Sequence, residues 1–115
     1  MSAPLKQAVA LAALVAAVPI GAAAHGMVVF ASVDCEAVLV EAKFSNGRAV
    51  RKGEVQISDG AGDLLTTVEI GADGTAAVPL DSLDYSEGLL IVVDTGDHDD
   101  YWILTPEDIA RKCGS

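Results

Sequence analysis

From Met27 onward the chain is a succession of short apolar or alternating segments, each closed by a turn rich in Asp, Asn or Gly. This rhythm limits the fold more than any other feature. Met27–Val33 is apolar and β-branched. In Ala37–Phe44, Val38, Val40 and Ala42 alternate with Leu39, Glu41 and Lys43. Glu54–Ser58 sets Val55 and Ile57 on one face, and Leu64–Ile70 sets Leu64, Thr66, Val68 and Ile70 on one face. A period of two residues is that of a strand. Thr75–Leu80 contains Pro79, which cannot donate to a ladder and suits an edge. Leu89–Val93 is a continuous apolar run, expected to be a central strand buried on both faces, and Tyr101–Leu104 is the last strand. Between them, Ser45-Asn46-Gly47-Arg48, Asp59–Asp63 and Gly71–Gly74 are turn sequences that tolerate positive φ. Seven strands with turns every 6 to 12 residues predict an all-β, seven-stranded sandwich. The tail differs: Thr105 as N-cap, Pro106 in the first helical position and Asp108 where a capping-box acid sits predict a short helix over 106–112.

The first 24 residues are a different material. Lys6 is their only charge, Ala8–Ile20 is apolar, with Pro19 the only break, and small residues Gly21–Ala24 follow. A basic start, a short apolar centre and an Ala-x-Ala exit describe a cleavable secretory signal. The apolar stretch from Ala8 to Ala24 is 17 residues, short of the about 20 that a membrane span needs. An uncleaved anchor is the alternative. Cleavage after Ala24 gives a mature domain of residues 25–115, periplasmic or otherwise exported, with no second hydrophobic span and no stable membrane insertion.

Export bears on the two cysteines, Cys35 and Cys113. A lone pair in a small secreted domain reads as a bridge, worth about 4 kcal/mol by chain entropy. A thiolate metal site is the rival reading, but the pair lacks CxxC spacing.

Seven Lys and Arg face 17 Asp and Glu, a formal net charge of -10. Such a surface repels phosphates and anionic bilayers, which argues against a nucleic-acid protein and against electrostatic membrane docking as the main activity. No nucleophile elbow and no phosphate loop opening a helix occurs, so the chain is read as non-enzymatic. The two histidines carry the chemistry. His25 would be the first mature residue and would offer its α-amine and imidazole to one ion, a chelate suited to Ni(II), Co(II), Cu(II) or Zn(II). Cleavage after Ala22 would instead make it a third-position histidine. His98 lies in Gly96-Asp97-His98-Asp99-Asp100, where Asp97, Asp99 or Asp100 could ligate or tune charge. The competing reading is an acidic solvated loop and a histidine that merely follows the cut. Met27 alternates into the first strand, so it is read as core, and Trp102 as core or as a lid on the sandwich.

Two stretches resemble known families. Phe44-Ser45-Asn46-Gly47-Arg48-Ala49-Val50 through Glu54-Val55-Gln56-Ile57, continued by Gly62-Asp63-Leu64 and Gly71-Ala72-Asp73-Gly74-Thr75, resembles transthyretin-like and Cna-B-like sandwiches. Ala49 stands where those families usually carry Pro, and Glu54 where they carry a small residue. More closely, the mature chain is similar to the small periplasmic accessory component of energy-coupling-factor nickel/cobalt transporters. Ala24-His25-Gly26-Met27 opens it, and Ile91-Val92-Val93-Asp94-Thr95-Gly96-Asp97-His98 with Trp102 matches the family's closing segment, Asp97 replacing a Gly. The resemblance implies a transthyretin-like/Ig-like sandwich that assists nickel or cobalt uptake, with His25 and His98 as ligands. It also implies an integral membrane transporter subunit as partner. A non-catalytic interaction or structural module of the cell envelope is the alternative.

Overall fold

A computed structural model describes residues 26–113. Residues 1–24, read above as a secretory signal, and His25 lie outside the described residues. Seven strands form: β1 (Met27–Val33), β2 (Ala37–Phe44), β3 (Glu54–Asp59), β4 (Leu64–Glu69), β5 (Thr75–Pro79), β6 (Leu89–Asp94) and β7 (Asp99–Leu104). A 3-10 turn (Leu80–Ser82) follows β5, and helix α1 (Pro106–Cys113) ends the described chain. All pairings are antiparallel, in a three-stranded sheet β1-β2-β5 and a four-stranded sheet β4-β3-β6-β7. The arrangement is sandwich-like.

The alternation explains why the sheets face each other. Val29, Ala31 and Val33 of β1 and Val38, Val40 and Ala42 of β2 point inward from one sheet. Val55 and Ile57 of β3 and Leu89, Ile91 and Val93 of β6 meet them from the other. Met27 joins this core, as do Val50, Val78, Leu83 and Ile109. Among the described residues no polar or charged side chain is buried, so the interior is an aliphatic layer and the polar side chains lie at its margins and on the surface.

Several expectations are corrected. Leu64 is exposed, and Leu65 packs on the core in its place. The β3–β4 register shifts between Ile57 and Ser58, pairing Ile57 with Thr66 but Ser58 with Leu64. The extra residue of this bulge turns Leu64 outward. Strand β6 is central, between β3 and β7, but Leu90 and Val92 on its outer face are only half-buried. One face of an antiparallel sheet can stay solvated. Strand β7 starts at Asp99, two residues before Tyr101, because Asp99 and Asp100 pair with Asp94 and Val93. Strand β5 is an edge and stops at Pro79, with Leu80 in the 3-10 turn. Trp102 is a lid at the seam where β7 passes β1, its ring edge-on to Phe30 with centroids 5.0 Å apart.

The sandwich has two ends. At one, Cys35 of the β1–β2 turn is bonded to Cys113 at the end of α1, with Cα atoms 5.1 Å apart. Cys35 holds φ at +76° there, while the Asp34 carboxylate accepts the Glu36 and Ala37 N–H groups. Helix α1 starts on a reciprocal capping box: the Asp108 N–H donates to Thr105 Oγ1 and the Thr105 N–H to Asp108 Oδ2, each at 3.1 Å. At the other end lie the start of β1, the β2–β3 connection and the β6–β7 loop.

Candidate functional site

His98 closes the β6–β7 loop at that second end. The loop is a local lock. Asp94 Oδ1 accepts the Gly96 N–H at 2.7 Å, Gly96 takes φ +92°, and the Thr95 N–H donates to the His98 carbonyl at 2.9 Å. The His98 N–H in turn donates to Thr95 Oγ1 at 3.1 Å. The backbone of His98 is thus fixed while its imidazole stays exposed, edge-on to Phe44 with ring centroids 6.1 Å apart.

Phe44 ends β2, and the chain then folds back tightly. The Gly47 N–H donates to the Phe44 carbonyl, the Phe44 N–H to the Arg48 carbonyl, and Asn46 Oδ1 accepts the Arg48 N–H. Gly47 sits at φ +88°, as the Asn-Gly pair predicts. Buried Val50 then donates its N–H to the Ala42 carbonyl at 3.0 Å. Gly53 passes so close to β6 that a Cβ there would lie 3.0 Å from the Asp94 carbonyl oxygen and 3.3 Å from Thr95 Cγ2. These contacts press segment 48–53 against the His98 loop. Between the two lies an open cleft of about 840 Å³, lined by Phe44, Arg48, Arg51, Lys52, Asp97 and His98 among others.

The start of β1 belongs to the same end. The Gly26 N–H donates to Ser45 Oγ at 3.2 Å, and the Ser45 N–H donates to the Gly26 carbonyl at 2.7 Å. Ser45 follows Phe44, whose ring meets His98. A chain of contacts therefore runs from the residue after His25 to His98.

The three aspartates divide. Asp97 lines the cleft with His98. Asp99 and Asp100 leave it and border a separate shallow groove with Tyr101 and Ile103. As consecutive strand residues they send their side chains to opposite faces of β7. Asp99 pairs with Asp94, Asp94 with Glu54, and Glu54 with Glu69. Four carboxylates therefore cross the outer face of the four-stranded sheet in one row. Among the described residues no group of three or more His, Cys, Asp or Glu side chains has metal-holding geometry. Cys35 and Cys113 are bonded to each other at the far end, which removes the thiolate-site reading.

Sequence reasoning missed the cations. Arg48-Ala49-Val50-Arg51-Lys52 places three of the chain's seven basic residues within five positions. Only the fold shows that they share a cleft with His98. Comparison with family models, curated proteins and solved structures finds no match to the chain.

Proposed function

We propose that the chain is an exported, non-catalytic metal-handling accessory that assists nickel or cobalt uptake by an integral membrane transporter subunit. The ion is held by the α-amine and imidazole of His25 together with the imidazole of His98. Asp97 tunes the charge beside it. One observation carries the reading: Gly26, a single peptide unit of about 3.8 Å from His25, is hydrogen-bonded to Ser45 at the end of the sandwich that carries His98. The disulfide supports a non-reducing compartment, which we take to be the periplasm. Among the described residues no helix is long and apolar enough to cross a membrane. Kinship with transthyretin-like and Cna-B-like sandwiches is part of the same proposal. Nitrogen donors also suit Cu(II), which binds more tightly than Ni(II) at most such sites, and Zn(II). Affinity order therefore does not identify the cargo.

The test is calorimetric titration of secreted, N-terminally sequenced protein with Ni(II). We expect one-to-one binding that weakens at least tenfold in His98→Ala and is lost when the amine is acetylated. Unchanged affinity in His98→Ala removes that residue from the site. A second reading, an interaction module, is favoured by the half-exposed apolar strip of Leu90, Val92, Tyr101 and Ile103 on the outer face of β6 and β7. It predicts no tight nickel binding and no loss when the amine is blocked.

A further inference from the structure

The electrostatics of the cleft conflict with a simple cargo. The molecule carries a net charge of -10, yet Arg48, Arg51 and Lys52 converge beside His98. Among the described residues none of the three has an ion-pair partner, nor has Lys112 at the far end, whereas Lys43 pairs with Glu41 and Arg111 with Asp108. Asp97 is the carboxylate that lines the cleft with them, and Lys52 also borders the row of Glu54, Glu69 and Asp94. Like charges raise the free energy of a bare divalent ion at such a place.

What the cleft does suit is an anion. Guanidinium groups grip carboxylates through paired, charge-assisted hydrogen bonds. Segment 48–53 is held by the Val50–Ala42 and Phe44–Arg48 hydrogen bonds and by Gly53 against Asp94, so the cations stand on a fixed base. A pre-set base lowers the ordering cost of binding. The volume of about 840 Å³ lies within the range of small-molecule sites.

We propose that this cleft binds a polycarboxylate anion, and that the metal ion reaches His98 as the anionic complex of such a chelator. The delivery half rests on the metal-handling reading above. The ligand nitrogens then replace part of the chelator's donor set, while Arg48, Arg51 and Lys52 hold its free carboxylates.

The test uses the full secreted protein and three titrants: citrate alone, nickel chloride alone and the one-to-one nickel–citrate complex. The wild type is compared with the triple variant Arg48→Gln, Arg51→Gln, Lys52→Gln. All three positions are exposed, and a circular dichroism melt checks that the variant folds. A second variant, Arg48→Lys with Arg51→Lys, keeps the charge without the fork. Wild type should bind citrate and nickel–citrate, the latter more tightly than nickel chloride. The triple variant should lose at least tenfold in both while holding nickel chloride undiminished, and the Lys variant should fall between. Nickel bound but citrate ignored overturns the anion cleft and leaves the metal reading standing. Citrate bound with no nickel taken from either form overturns the metal reading and the delivery half with it. Equal binding by wild type and triple variant overturns the assignment of these residues. Inorganic phosphate bound as tightly as citrate overturns the carboxylate class. So does cosedimentation with phosphatidylglycerol vesicles without citrate binding, in favour of a lipid surface.

Discussion

Gly74 shows how narrowly single residues are set at the cleft end. It holds φ at +83°, its carbonyl accepts the Ala42 N–H, and a Cβ there would come within 2.7 Å of the Ala42 carbonyl oxygen and 3.0 Å of Ala49 Cβ. Both obstacles are backbone or short side chain and cannot swing aside. Gly74→Ala should cost about 2–3 kcal/mol, from positive φ and crowding together, read as a lower urea midpoint at unchanged slope. Three aspartates act oppositely, as fixed anionic turn-makers. Asp73 has its carboxyl held below the usual range by the Thr75 hydroxyl and N–H. The N–H groups of Ala37 and Glu36 do the same for Asp34, and the N–H and hydroxyl of Thr105 for Asp108. A folded-state pKa below the unfolded value of about 3.9 stabilises the fold above that pH, and the contribution is lost as pH falls through the folded value. Melting curves from pH 7 to 2 should therefore show a steeper acid-side decline in wild type than in Asp73→Asn. Equal declines would contradict the role given to this turn.

At the level of elements, the row Glu69–Glu54–Asp94–Asp99 is a cost carried in the sheet. Directly opposed like charges destabilise a strand pair, and Glu54 has one on each side. Glu54→Gln should therefore raise stability by about 0.5–1 kcal/mol at low salt, with the gain shrinking as salt screens it. Denaturant midpoints at two ionic strengths measure it. The same strands show what could be read from sequence. Val55 and Ile57 were legible because alternation is a local property that survives wherever a strand has one buried face. Leu64 was not, because a bulge inserts its extra residue without any local mark. Asp99 and Asp100 have poor strand propensity, and their place in β7 comes from pairing with Asp94 and Val93. The capping box at Thr105 and Asp108 was legible, since all its partners lie within three residues. The grouping of Arg51 with His98 was not, since 47 positions separate them in the chain and only the crossing from β2 to β3 beside the β6–β7 loop brings them together.

For the molecule as a whole, the Cys35–Cys113 bond closes a loop over a separation of 78 residues. Replacing both cysteines by Ser should lower stability by about 4 kcal/mol on the chain-entropy account. The loss should appear as a lower guanidinium midpoint, and a reductant should reproduce it in wild type. A domain of this size has a modest core, so the bond is a large share of a total that is typically about 5–15 kcal/mol.

The place where the chain enters the sandwich gives the molecule a polarity. Gly26 is tied to Ser45 at the cleft end, and the disulfide and α1 close the opposite end. Whatever precedes Gly26 is therefore attached beside the cleft. A leader kept in the bilayer would hang the domain with the cleft turned toward the lipid and the bonded end outward. A leader cut away would free a new amine at the same spot. If residues 1–24 are the secretory leader the sequence suggests, processing and orientation would be one event seen from two sides: the cut would decide whether this end of the protein is a mooring or an open hand.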